Sequence, residues 1–179
     1  MLAGYNKFKV LKVFLDSPLE EFGLRETSRK AGISPASVLN YLKGLEKESF
    51  IKKIKKKRNP VYIAQRDNEN FKFYKKIAVL EELHSSGIVD ELWQKTAPEA
   101  IILYGSYAKG EAVDNSDIDL FIISKNAKKT ISDYKIDEKY AKIIGKEIHI
   151  IIDNIKNISD KLINNLINGI ILKGYLKVL

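Results

Sequence analysis

The chain has 179 residues, 45% of them apolar and 30% charged, with two histidines and no cysteine. That length holds one ordinary domain or two small ones, and the apolar fraction is enough to pack each, which excludes a disordered chain. The missing cysteines exclude disulfide scaffolds, thiolate metal sites and thiol catalysis, and His84 and His149 leave little room for a histidine-rich metal centre. No run approaches 18 consecutive apolar residues, and the opening Met-Leu-Ala-Gly-Tyr lacks the regions of a secretion signal, so the expectation is a cytoplasmic protein without membrane contact.

The net charge of +8 is divided unevenly. Residues 1–66 hold 15 Lys/Arg against 6 Asp/Glu, a charge of +9, whereas residues 67–179 hold 16 against 17. All four arginines, Arg25, Arg29, Arg58 and Arg66, lie in the first part. Such segregation points to one region facing a polyanion and another with a different task.

In chain order, Tyr5, Phe8, Val10, Leu11, Val13 and Phe14 recur at helical spacing until Asp16-Ser17-Pro18. Leu24 to Ala31 reads as a second, short helix, with Gly32 as a left-handed C-cap and Ser34-Pro35 as the start of a third. In the third helix Val38, Leu39, Leu42 and Leu45 form an inward stripe that leaves Ser37, Asn40, Tyr41 and Lys43 outside. Phe50-Ile51 and Val61-Tyr62-Ile63-Ala64 flank a hairpin whose tip carries Lys55, Lys56, Lys57 and Arg58. Helix, tight turn, polar-faced helix and basic hairpin resemble the winged-helix family over residues 5–65. The resemblance implies that the third helix enters the major groove of double-stranded DNA while the hairpin meets phosphates, to which lysine suits as a point charge. Ser37, Asn40 and Tyr41 are then the candidate base-edge contacts, Lys43 a further candidate DNA contact, and Lys55, Lys56, Lys57 and Arg58 the candidate phosphate contacts.

Residues 67–96 read as one or two connecting helices, broken at Ser85-Ser86-Gly87, in which His84 and Trp93 are packing or surface groups rather than ligands. Ala100 to Tyr104 is a continuous apolar run that suits a buried strand and leads into Gly105-Ser106-Tyr107-Ala108-Lys109-Gly110. Glycine at a strand end permits a sharp turn that presents amide N–H groups to phosphate oxygens. Glu111 defeats the P-loop pattern, and Tyr107 defeats the dinucleotide pattern. The next segment, Asp114-Asn115-Ser116-Asp117-Ile118-Asp119-Leu120-Phe121-Ile122-Ile123, is the informative one. On a strand Asp117 and Asp119 share one side, roughly 6.7 Å apart at ~3.3 Å per residue. Two carboxylates on an otherwise apolar strand repel each other and resist burial without a cation. They could bridge two ions at the ~3.5–4 Å spacing of two-metal phosphoryl-transfer sites, and oxygen ligation favours Mg2+ or Mn2+ over zinc.

Gly105-Ser106 after one strand, with Asp117-Ile118-Asp119 opening the next, resembles the nucleotidyltransferase fold of the DNA polymerase beta superfamily. The motif is similar, more narrowly, to the minimal nucleotidyltransferase group, with the resemblance extending over about residues 97–155. It implies that Gly105 and Ser106 hold the triphosphate of a nucleotide, ATP being the expected one, and that Asp117 and Asp119 bind the metals. Ser116 and Lys109 are further candidates for phosphate contact. The family also carries a third carboxylate on a later strand, a metal ligand that deprotonates the attacking hydroxyl. Glu147 is the candidate, as the only acid on Glu147–Ile152 proper, with His149 on the same face as the alternative occupant.

Residues 155–168 read as a helix with Ile158, Leu162, Ile163, Leu166 and Ile167 inward. The apolar segment Ile170–Leu176 is expected to cover the sheet or to form a subunit contact such as a homodimer. The expected fold is therefore α+β: a winged helix-turn-helix over 1–66, connecting helices over 67–96, and a nucleotidyltransferase domain with a mixed sheet and flanking helices over 97–179. The expected activity is metal-dependent transfer of a nucleoside monophosphate, AMP in particular, from a triphosphate to a hydroxyl. The resemblance implies a protein acceptor of the HEPN-domain ribonuclease type and an antitoxin-like role. The alternative is a DNA-binding regulator whose second domain senses nucleotide or is inactive.

Overall fold

The computed structural model describes residues 5–56, 59–124 and 136–176, which form two compact units that divide between Ala78 and Val79. The division falls inside a helix rather than in a loop.

In the first unit, α1 (Asn6–Asp16) buries Phe8, Val10, Leu11, Val13, Phe14 and Leu15. A short strand β1 (Glu21–Gly23) leads into α2 (Leu24–Ala31), and Gly32 ends that helix at φ 66°. Buried hydroxyls tie both ends of α2: Thr27 Oγ1 donates to the Gly23 carbonyl at its start at 2.9 Å, and Ser28 Oγ to that of Ile33 in the turn after it at 2.5 Å. Helix α3 (Pro35–Lys47) starts as expected, with Ser34 Oγ accepting from the Ser37 amide and proline at the first position. Strands β2 (Ile51–Ile54) and β3 (Val61–Ala64) form the expected hairpin, and β1 pairs antiparallel with the far side of β3, giving the order β1-β3-β2. Three residues at Glu21–Gly23 are too short a run for alternation to announce a strand.

Helix α4 (Glu69–Ser86) starts in this unit, where Phe71 and Ala78 join its core. Lys75 is buried on α4, its ammonium donating to the carbonyl of Leu15 near the end of α1, where helix carbonyls lack partners. From Val79 onward the same helix packs with the second unit through Val79 and Leu83. The 67–96 segment therefore contributes to two cores.

The second unit is built on a four-stranded sheet in the order β6-β5-β4-β7. Its strands are β4 (Ala100–Tyr104), β5 (Ile118–Ile123), β6 (Ile148–Asp153) and β7 (Ile170–Gly174), with the short α6 (Gly105–Lys109) between β4 and β5. Strand β4 is antiparallel to both β5 and β7, whereas β5 and β6 are parallel. One face, with Ile101, Leu103, Ile118, Leu120, Ile122 and Ile148, packs with α4, α5 (Ile88–Thr96) and α7 (Ile136–Ile144). The other face carries Ala100, Ile102, Phe121 and Ile123 against Leu166 and its neighbours from α8 (Asp160–Ile167). The sequence reading had no element at α7, where Ile136 and Tyr140 are buried one turn apart. The terminal apolar segment neither caps the sheet nor stands free: Ile170–Gly174 joins it as an edge strand beside β4. Ile167, expected inward, is half exposed.

Helices α5 and α7 are tied by one carboxylate. Glu91 accepts from Lys139 Nζ at 2.5 Å, Lys95 Nζ at 2.6 Å and the Tyr140 hydroxyl at 2.7 Å. These three donors, Lys139 first, bring its pKa down to about 2. A depressed carboxylate stabilises the fold above its unfolded pKa and loses that contribution as pH falls toward the folded value. Wild type is therefore expected to exceed Glu91→Gln in urea-unfolding stability at pH 7, with the gap closing between about pH 4.5 and about pH 2. A gap that is constant across that range would show that the ionised carboxylate does not tie these helices.

Candidate active site

The site lies on the β4–β5–β6 part of the sheet, where three strands deliver polar side chains to one face. Alternation along β5 sends Ile118, Leu120 and Ile122 into the helix-covered core and turns Asp119 to the opposite face. Asp117 immediately precedes the strand and shares the side of Asp119. Register then adds the neighbours: Asp119 stands beside Tyr104 on β4 and beside His149 on β6. The Ile118 amide donates to the Glu147 carbonyl at 2.9 Å, which holds Glu147 at the start of β6 alongside Asp117.

His149 Nδ1 lies 3.8 Å from Asp117 Oδ2 and 3.9 Å from Asp119 Oδ1. Ligand atoms of Asp117, Glu147 and His149 all fall within 4.8 Å of one another. The question the sequence left between Glu147 and His149 thus has a two-part answer. His149 is register partner to Asp119, Glu147 is backbone partner to the segment carrying Asp117, and both reach the cluster. Among the described residues no Lys or Arg forms an ion pair with either aspartate.

Burial raises the pKa of Asp119, His149 acts against the rise, and the charge of Asp117 adds to it. Tyr104 is also raised, first by burial and then by the charge of Asp119. Sequence reasoning treated Tyr104 only as the end of an apolar run. Its side of β4, shared with Ala100 and Ile102, is the signal that would have placed it here.

Gly105 has a steric duty to this cluster. Its φ is 72°, and a Cβ added to it would stand 2.3 Å from Asp119 Oδ2. Glycine suits the position for two reasons, backbone region and space. Ser106 is half-buried in the first turn of α6, with its carbonyl accepting from the Glu111 amide at 2.9 Å, while Lys109 is exposed. Ser116 holds the loop before Asp117: its Oγ accepts from the Val113 amide at 2.8 Å, and its own amide donates back to the Val113 carbonyl at 2.9 Å. The hydroxyl expected at phosphate is thus also a loop clasp that sets the approach to Asp117.

In the N-terminal unit the candidate contact residues divide. Asn40 and Lys43 are exposed on α3, and Lys55 is exposed beyond β2. Ser37 is engaged with Ser34, their hydroxyls 3.1 Å apart. Tyr41, expected outside, packs partly against the core, because it stands three residues after Val38 and four before Leu45 on the same side of the helix. Lys56 is paired with Glu21. Lys57 and Arg58 lie outside the described residues.

Two consequences can be measured. Gly105→Ala and Gly145→Ala impose the same left-handed backbone cost of about 1–2 kcal/mol, but a Cβ at Gly145 would meet nothing within 4 Å. Thermal unfolding should therefore show the larger loss for Gly105→Ala, and equal losses would remove the contact with Asp119. For Asp119 the sign is opposite to that of Glu91. A carboxyl raised on folding contributes stability below its unfolded pKa and loses it as pH rises through its folded pKa. The stability advantage of Asp119→Asn over wild type should grow with rising pH and then level off, and an advantage that shrinks would contradict the burial of this charge.

Residues 87–175 match the family described as Polymerase beta, Nucleotidyltransferase. A putative protein adenylyltransferase of Methanocaldococcus jannaschii is 37% identical over 107 residues, a match covering 54% of this chain and 72% of that protein. Among solved structures, a toxin–antitoxin crystal structure with AMP-PNP shares 22% identity over 50% of this chain and 73% of its own, at a TM-score of 0.41. A tri-AMPylated Shewanella oneidensis HEPN toxin in complex with MNT antitoxin shares 18% over 52% and 73%, at a TM-score of 0.38. No helix of the described residues is long and apolar enough to cross a membrane. The sequence match to the archaeal protein, which spans nearly three quarters of its length, together with the family match over 87–175, establishes that the chain belongs to the polymerase beta nucleotidyltransferase family and is a nucleotidyltransferase.

Proposed function

We propose that the chain moves AMP from ATP to a hydroxyl of a partner protein in a reaction dependent on divalent metal, and that its N-terminal unit is a winged helix-turn-helix that binds double-stranded DNA. The observation that carries the first part is Asp117 and Asp119 converging beside the Gly105-Ser106 turn with Glu147 and His149 across the next strand. The donor set fits a divalent cation. Its oxygens and one imidazole converge, and Asp119 resists ionisation where it stands, which a nearby cation would relieve. When bound, such an ion supplies stabilisation of the charge that develops on the phosphate oxygens.

The chain's own groups supply the rest. The amides of the Gly105–Ser106 turn and the Ser106 hydroxyl donate to the triphosphate. Ser116, by clasping the loop at Val113, keeps Asp117 in line with Asp119. The acceptor oxygen forms a bond to the α-phosphorus, and the bond from that phosphorus to the pyrophosphate oxygen breaks. Glu147, exposed at the rim, takes the proton that the acceptor hydroxyl loses. A protein acceptor is favoured by the archaeal relative, whose name is that of a putative protein adenylyltransferase. A HEPN-domain ribonuclease is the class of partner to test first, in keeping with an antitoxin-like role.

The DNA-binding part is favoured by charge and by exposed groups. The +9 region holds the three helices and the β2–β3 hairpin, and Asn40, Lys43 and Lys55 stand in solvent on α3 and past β2. Lys57 and Arg58 complete the proposed phosphate contacts.

The test uses the full chain with ATP, Mg2+ or Mn2+, and a purified HEPN-domain protein. Mass spectrometry should show an added adenylyl group, lost by more than ~100-fold in Asp117→Asn and in Asp119→Asn. Absence of ATP binding with either metal, or transfer unchanged in both variants, would overturn the enzymatic reading. For DNA, the affinity for a duplex should fall steeply with salt, and each of Lys43→Ala and Lys55→Ala should lower the log–log slope by about 1. A slope near zero in the wild type would overturn this part alone.

A further inference from the structure

Resting on the metal-dependent reading above, we propose that His149 is a direct ligand of the divalent cation and makes this site select manganese over magnesium. Strand alternation and register place the ring, and the resulting distances suit ligation. Alternation along β6 buries Ile148 and turns His149 to the face of Asp117 and Asp119, while the parallel register sets it beside Asp119. Its Nδ1 is 3.8 and 3.9 Å from one oxygen of each aspartate, too far for hydrogen bonds to either. At metal–ligand distances of about 2.1 Å, atoms sharing one ion stand about 3 to 4.2 Å apart, so these separations suit two ligands of a common cation.

The chemistry then follows from the donor. Magnesium takes oxygen ligands and loses water reluctantly, whereas an imidazole nitrogen raises affinity for first-row transition ions. A site with carboxylates and one imidazole therefore binds manganese, and more strongly still cobalt or zinc, ahead of magnesium. His149 also carries no negative charge, so the cation neutralises fewer carboxylates here than in a site with acids at every position. Glu147, within reach of Asp117 and His149, remains as the carboxylate next to the acceptor.

The experiment is titration of the full chain with Mn2+, read from the electron paramagnetic resonance of the free ion, followed by competition with Mg2+, for wild type, His149→Asp, His149→Ala and Asp117→Asn. The side chain is 63% exposed, so its replacement leaves the core intact. Wild type should prefer Mn2+ over Mg2+ at least about tenfold more than His149→Asp does, and His149→Ala should lose Mn2+ affinity by about 10- to 100-fold. In the wild type the ring resonances of His149 should broaden when Mn2+ is added, ahead of those of His84. An unchanged Mn2+/Mg2+ ratio in His149→Asp, or equal broadening of the two histidines, would overturn the proposal. If Asp117→Asn abolishes binding while His149→Asp leaves the ratio alone, only the role of His149 fails. If the wild type binds neither ion, with or without ATP, the metal-dependent reading fails with it.

Discussion

Asp119 is a carboxylate held where its charge is disfavoured, and much of the second unit serves to hold it there. Burial raises its pKa and Asp117 repels it, yet β5 cannot release it without turning Leu120 and Ile122 out of a core in which both are fully buried. Each such residue contributes about 1.5–3 kcal/mol through burial. The apolar face of β5 thus keeps a destabilising pair in place on its polar face. Gly105 adds to this from the turn after β4, since its missing side chain is the space that Asp119 occupies.

The same logic explains how the neighbouring strands are used. A parallel β6 brings its start beside the start of β5, so that Glu147 and His149 stand with Asp117 and Asp119 instead of at the far end of the sheet. An antiparallel β4 has its end there, which delivers Tyr104 and Gly105 to the same place. One strand direction reversed in either pair would separate the groups by the length of the strand. The mixed sheet is therefore a requirement of the site, and the two core clusters on its faces hold that sheet together.

This dependence also decides what could be read from the chain before its fold was known. Gly105 stood out as a glycine ending an apolar run, and Asp117 and Asp119 as paired acids on an otherwise apolar strand, a contradiction of the strand's own pattern. The sharing of a face by Glu147 and His149 followed from alternation alone. Which of them stands beside Asp119 did not, because it depends on the register between β5 and β6, a contact between residues 30 apart in the chain. Strand β7 escaped for a similar reason: its residues alternate only partly in burial, and its strand character comes from pairing with β4. Tyr41 was placed outside the stripe of Val38, Leu39, Leu42 and Leu45, whereas its ring packs partly against the core at the edge of that stripe.

The first unit shows the converse balance. Its helices and hairpin were legible almost to the residue, because caps and turns are local: Ser34, Pro35 and Gly32 act on neighbours within a few positions. Its chemistry is less legible, since lysines act through where they end up. Lys75 is buried against the Leu15 carbonyl, and Lys56, though exposed, is paired with Glu21, so neither is offered unpartnered to solvent in the way that Lys43 and Lys55 are. Counting charges along a sequence therefore overstates a basic surface. The effective positive charge is set by which lysines the fold leaves exposed and without an internal acceptor, as it does Lys43 on α3 and Lys55 past β2.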